Sequence, residues 1–122
     1  MLGWRESHGS WVPPVDVYER ADSWEVVMEL PGVDMEELDI TASKDVLRVS
    51  GRRNLPGAGG VALRLEIPSG GFFREIRFDG GVRTEDVTAA LSRGILSVRL
   101  PKSSPARIRV PVDPPSGGSA DR

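Results

Sequence analysis

At 122 residues the chain is long enough for one domain and too short for two. With 39% hydrophobic and 28% charged residues it has the composition of a folding, soluble protein, and a formal charge of -2 with both signs mixed offers no basic stripe for a nucleic acid. Cysteine is absent, which removes disulfides, thiolate nucleophiles and thiolate zinc sites, and no apolar run reaches the roughly 20 residues of a membrane-spanning helix.

The chain then divides into short alternating segments separated by Gly, Pro, Asn, Asp and Ser, the pattern of an antiparallel all-β fold. Val15 to Arg20 opens the series. Trp24 to Leu30 follows, with Trp24, Val26, Met28 and Leu30 on one face and Glu25 and Glu29 on the other, which predicts a strand with one wet side. Pro31 and Gly32 stop it, since proline donates no ladder bond and glycine permits a sharp bend. Asp34 and Glu37 have the spacing of a capping pair around a single helical turn. Leu38 to Ser43 and Val46 to Arg52 form a predicted hairpin with Leu47 and Val49 inward.

Asn54 to Gly60 is a Gly-rich loop with little to pack. Beyond it Val61, Leu63, Leu65 and Ile67 alternate with Ala62, Arg64 and Glu66, which predicts a further strand on that excursion. Phe72 to Phe78 places Phe72, Arg74, Ile76 and Phe78 on one face. Val87 to Leu91 and Ile95 to Leu100 form a second hairpin, turning at Ser92, Arg93 and Gly94 where glycine accepts a positive φ. After Pro101 a polar link leads to Ala106 to Val112, and the residues from Asp113 to Arg122 form a Pro, Gly and Ser tail expected to be disordered.

No catalytic constellation emerges, and neither a metal nor another cofactor is expected. Glu36-Glu37 and Glu85-Asp86 are neighbours in sequence and read as solvated turn residues. His8 is the single histidine and completes neither a triad nor a metal site. Gly57, Gly59 and Gly60 precede no helix start and no lysine, so they are no phosphate cradle. Met1 to Ser10 lacks the apolar stretch of a signal peptide, and the expected location is cytoplasmic.

Three stretches, in this order, resemble the alpha-crystallin domain of small heat-shock proteins. They are Val15-Asp16-Val17-Tyr18-Glu19 leading to Glu29-Leu30-Pro31-Gly32-Val33, then Gly71-Phe72-Phe73-Arg74, and finally Ala90 to Lys102 with its Gly94-Ile95-Leu96 hairpin closing on Pro101-Lys102. The resemblance implies an immunoglobulin-like antiparallel β-sandwich of roughly seven to nine strands. It divides the chain into a short arm at 1-12, the sandwich at 13-102 and an extension at 103-122.

The resemblance also implies a function: an ATP-independent chaperone, or holdase, that binds partly unfolded clients and catalyses nothing. Ile108-Arg109-Val110 matches the family's Ile-x-Ile/Val motif, which a neighbouring subunit receives in a groove that corresponds here to Leu38, Ile40, Ala89 and Leu91. Read without the resemblance, Ile108 and Val110 are equally one more intrachain strand. Val61, Leu63, Leu65 and Ile67 occupy the place of the strand that bacterial and plant members exchange with a partner to make a homodimer, the alternative being a surface hairpin that packs on its own subunit. Arg74 stands at the family's intrastrand arginine, which the resemblance places near a dimer interface, the alternative being an ordinary arginine satisfied within its own chain. The arm, with Leu2, Trp4, Trp11 and Val12, is expected to contact clients or partners; it is shorter than is usual in the family and holds no phenylalanine, so a dimer or small oligomer is expected. A co-chaperone or adaptor sandwich docking one specific partner is the alternative function.

Overall fold

The computed structural model describes residues 11-103 and 111-115. Among these residues seven strands form: β1 (Val15–Glu19), β2 (Ser23–Glu29), β3 (Leu38–Ala42), β4 (Val46–Arg53), β5 (Gly70–Arg77), β6 (Thr88–Ser92) and β7 (Ile95–Pro101). They make a four-stranded sheet in the order β1-β2-β7-β6 and a three-stranded sheet in the order β3-β4-β5, with every pairing antiparallel. The expected all-β sandwich is the observed fold.

The core follows from the period-two pattern. Trp24, Val26, Met28 and Leu30 are all buried, as are Leu96, Val98 and Leu100 from β7 and Leu47, Val49 and Phe72 from the other sheet. Each sheet therefore turns one continuous apolar face to the other and leaves residues of the opposite parity, such as Glu25 and Arg48, toward water. The segment after β5 crosses between the layers: Phe78 N–H donates to the Asp45 carbonyl and Val82 N–H to that of Lys44, and Val82 then bridges to Lys102. Phe78 meets the Trp24 ring on the way, at a centroid distance of 4.8 Å.

Two turns interlock at one end. The β6–β7 hairpin turns on Arg93 and Gly94, with φ of 53° and 78°, a pair of left-handed residues that matches the twist of the flanking strands. The Leu30–Val33 turn closes by a Val33 N–H to Leu30 carbonyl bond of 3.2 Å, with Gly32 at φ 86° after Pro31. The first turn receives the second, because Leu30 N–H donates to the Gly94 carbonyl at 2.6 Å and a Cβ on Gly94 would lie 2.9 Å from the Pro31 Cα.

The structure departs from expectation in two places. A 3-10 turn does form at Met35–Glu37, yet the Asp34 side chain does not cap it; the turn closes on main chain, with Glu37 N–H donating to the Asp34 carbonyl. The strand expected at Val61–Ile67 is absent from the single chain. Residues 61-67 pair with no other described segment, and Val61, Leu63, Leu65 and Ile67 are 70–94% exposed. A strand needs a ladder partner, and this segment lies against none of the edge strands β1, β3, β5 and β6 of the same chain. The hairpin packing on its own subunit is likewise not formed. Of the segment expected at Ala106–Val112, only Pro111 and Val112 fall among the described residues, and both are exposed.

Gly94→Ala should lower unfolding free energy by about 2 kcal/mol or more, since it adds left-handed strain and a steric contact. Gly59→Ala has the same sign of φ, 86°, but meets nothing within 4 Å, so its cost should be the smaller. Urea denaturation of the two variants checks the order.

Candidate functional site

β3 and β6 are the outer strands on the same side of the two layers, and neither pairs with the other. Between them lies an open apolar groove of about 270 Å³. Leu38 and Ile40 line it from β3, Ala89, Ala90 and Leu91 from β6, Leu96 forms part of its floor, and Met35 stands at its lip on the 3-10 turn. None of these side chains carries a charge or a hydrogen-bond donor.

The register explains the hollow. Ala89 lies opposite Val98 and Leu91 opposite Leu96, so both β6 side chains point to the core side of their sheet. On the facing strand Leu38 and Ile40 pack against the core from its margin. Alanine at 89 is too short to cross to β3, and the space its side chain leaves is the groove. The four residues that the resemblance assigned to a groove are thus brought together in one. Sequence reasoning missed Met35, Ala90 and Leu96: the first sits on a turn outside any periodic pattern, the second has the parity opposite to Ala89 and Leu91, and the third, read only as part of the second hairpin, is also a buried core residue.

A second construction holds the neck of the excursion between β4 and β5. Arg53, the last residue of β4, is buried, and its guanidinium donates to the Pro31 carbonyl at 3.0 Å and, through Nε at 3.2 Å and also through Nη2, to the Pro68 carbonyl. The Trp11 ring covers it, 3.9 Å from ring centroid to guanidinium carbon, and meets Phe72 edge-on at 5.2 Å. Arg53 thereby ties the start of the excursion to its end and both to the Leu30–Val33 turn. Sequence reasoning ended the strand at Arg52 and assigned Arg53 no role.

Trp11 corrects an expectation. Assigned to an arm that contacts clients or partners, it is 7% exposed and belongs to the sandwich core, its main-chain N–H donating to the Gly71 carbonyl at 3.1 Å. A large aromatic beside a buried guanidinium gains both area burial and cation–π attraction, which outweighs any benefit of exposure. Val12 is exposed, while Leu2 and Trp4 lie outside the described residues, as do Ile108 and Val110. Arg74 donates to the Pro13 carbonyl at 2.6 Å, a bond within the chain that straps the N-terminal segment to β5.

Among the described residues no group of three or more His, Asp or Glu side chains could hold a metal ion. No described helix is long and apolar enough to cross a membrane. The ion pairs, such as Arg48–Glu75 and Lys102–Glu19, lie at the surface.

Comparison with known proteins agrees with this architecture. The model of the Hsp20/alpha crystallin family matches residues 16–113. The chain belongs to that family. The Hsp20 match places it among small heat-shock proteins, whose role is that of chaperones. It is 31% identical to the 18 kDa heat shock protein of Streptomyces albus G over 83% of this chain and 75% of that one. It is 34% identical to the 22.0 kDa heat shock protein of Arabidopsis thaliana over 80% of this chain, and it spans about half, 51%, of that protein's length. Among solved structures, HSP18.5 from E. histolytica superposes with a TM-score of 0.69 at 30% identity, covering 85% of this chain and 99% of that one.

Arg53→Met keeps the stem and removes five donors, leaving the Pro31 and Pro68 carbonyls unsatisfied; unfolding free energy should fall by about 2 to 3 kcal/mol. Arg48→Met, which breaks an exposed pair, should change it by under about 1 kcal/mol. Parallel chemical denaturation measures both.

Proposed function

We propose that this small heat-shock protein is an ATP-independent holdase, with the β3–β6 groove as its capture surface. The groove carries the proposal, because it is an open, charge-free hollow bounded by two strand edges that pair with nothing among the described residues. Apolar transfer alone drives capture there, at roughly 25 cal/mol per Å² removed from water, and no nucleotide or bond-making chemistry is required. Under this proposal the protein is not an enzyme, works in the cytoplasm, recognises no nucleic acid and does not span a membrane.

The resting occupant of the groove is the Ile108-Arg109-Val110 segment of a neighbouring subunit. Two branched side chains two residues apart lie on one face of an extended segment, and the main chain between them can add to a strand edge. Burying Ile108 and Val110 gains about 1.5 to 3 kcal/mol each, most of which the ordering of the segment offsets, so occupancy is weak and reversible. An unfolding client competes for the same hollow.

Val61, Leu63, Leu65 and Ile67 are proposed to complete a homodimer by pairing with a partner's sheet edge. Their exposure in the single chain supports this, since four large apolar side chains in one alternating segment are a liability unless another surface covers them. Arg74, anchored to Pro13 at one nitrogen, is proposed to offer its other donors to that contact.

Heating an aggregation-prone test protein with this chain and no nucleotide should suppress light scattering at near-stoichiometric ratios. Ala89→Glu places a charge in the groove at an exposed position and should abolish most of that suppression without lowering the melting temperature. Suppression unaffected by Ala89→Glu would overturn the groove as the capture surface, and no suppression at all combined with selective capture of one partner would favour the adaptor function. Replacing Ile108 and Val110 together by alanine should move oligomers toward dimers in size-exclusion chromatography with light scattering, and an unchanged profile counts against the tail as occupant.

A further inference from the structure

The sequence holds three methionines, Met1, Met28 and Met35. Two of them fall among the described residues, and their surroundings are opposite. Met28 is 1% exposed in the middle of the core, whereas Met35 is 65% exposed, on a turn with no buried residue, and lines the lip of the groove. A thioether in contact with water is open to small oxidants, while one sealed in a core is not.

We infer that Met35 is an oxidative modification site whose state sets the affinity of the groove for apolar segments; this rests on the groove being the capture surface. The reagent is a hydroperoxide. A sulfur lone pair of Met35 attacks the terminal peroxide oxygen, the O–O bond breaks, an S–O bond forms, and the proton of the attacked hydroxyl passes through water to the departing oxygen, which leaves as water or an alcohol. Sulfur loses two electrons and the peroxide gains them, so no further reactant is needed.

The product is a polar sulfoxide in place of a flexible apolar lip. Its oxygen is a strong acceptor, and Leu38, Ile40, Ala89, Leu91 and Leu96 around the groove have no side-chain donor to meet it. In the open groove that oxygen is hydrated. An apolar segment settling over the lip strips the hydration with no compensating bond, so oxidation weakens binding of tail and client alike. Linkage makes the effect reciprocal: an occupant that disfavours the sulfoxide also shields the thioether, and an occupied groove oxidises more slowly than an empty one.

The test exposes the full chain to hydrogen peroxide, maps sulfoxide by peptide mass spectrometry, and follows an environment-sensitive apolar dye whose groove signal is the part lost in Ala89→Glu. Met35 should oxidise at least about tenfold faster than Met28. Affinity for the groove dye should fall about three- to tenfold on oxidation. Met35→Leu removes the reactive sulfur, so its dye affinity, whatever its starting value, should stay constant through peroxide treatment. Equal oxidation of the two methionines, unchanged dye affinity in the oxidised protein, or a Met35→Leu protein that still responds to peroxide overturns the inference. Should dye affinity fall while suppression of aggregation stays the same, the oxidation site stands and the groove's role in client capture does not.

Discussion

The face-to-face packing of two unequal sheets is the constraint from which the other features follow. Met28, Leu96 and Val98 from one layer press on Leu47, Val49 and Phe72 from the other, and this contact fixes the layers roughly 10 Å apart. At that spacing the margin between β3 and β6 can be closed only by long side chains from both edges. Leu38 and Ile40 supply them from one edge, but β6 answers with Ala89 and a marginal Leu91. The groove is thus what remains when a well-filled core runs out of side chains at one border.

Stability and stickiness consequently reside in different residues. The core seals without help from the groove, and the pin formed by Arg53, Trp11, Pro31 and Pro68 holds the excursion's neck without help from its apolar tip. A chain built this way can leave Val61, Leu63, Leu65 and Ile67 bare, because nothing in the sandwich depends on their burial. The same separation frees the groove edges: β3 and β6 each present unpaired main-chain groups beside an apolar hollow, and occupancy there repairs an edge and does not build the fold.

Much of the fold was legible because its buried faces obey strict alternation. β2, β4, β5 and β7 each show the period in sequence, and Gly94 and Gly32 mark their turns by the positive φ that the chain needs there. Alternation also raised the expectation of a strand at Val61–Ile67, and there it failed in the single chain, since period two reports a segment's capacity for pairing and not the presence of a partner. The groove quartet was legible only through family resemblance; spacing alone cannot show that Leu38 and Ala89, far apart in the chain, share one hollow. Trp11 and Arg53 were illegible for a related reason. Their roles arise from a cation, an aromatic ring and two proline carbonyls that come from four separate stretches, and no local pattern records such a meeting.

The groove's lack of polar groups also bears on what it selects. Without donors or acceptors in its side chains it cannot read chemical identity, so discrimination falls to shape and to the main-chain edges beside it. Those edges accept extended segments, and in an extended segment residues i and i+2 project to one face about 7 Å apart. A helix of the same composition presents its apolar residues at i, i+3 and i+4 and offers no free main chain to the edge. A binding surface of this kind therefore favours chains that have lost their helices or whose strands have come loose, which are the states in which aggregation begins. The geometry that leaves one side of the sandwich unfinished is in this way a filter for unfolding itself, and it needs no knowledge of the sequence it holds.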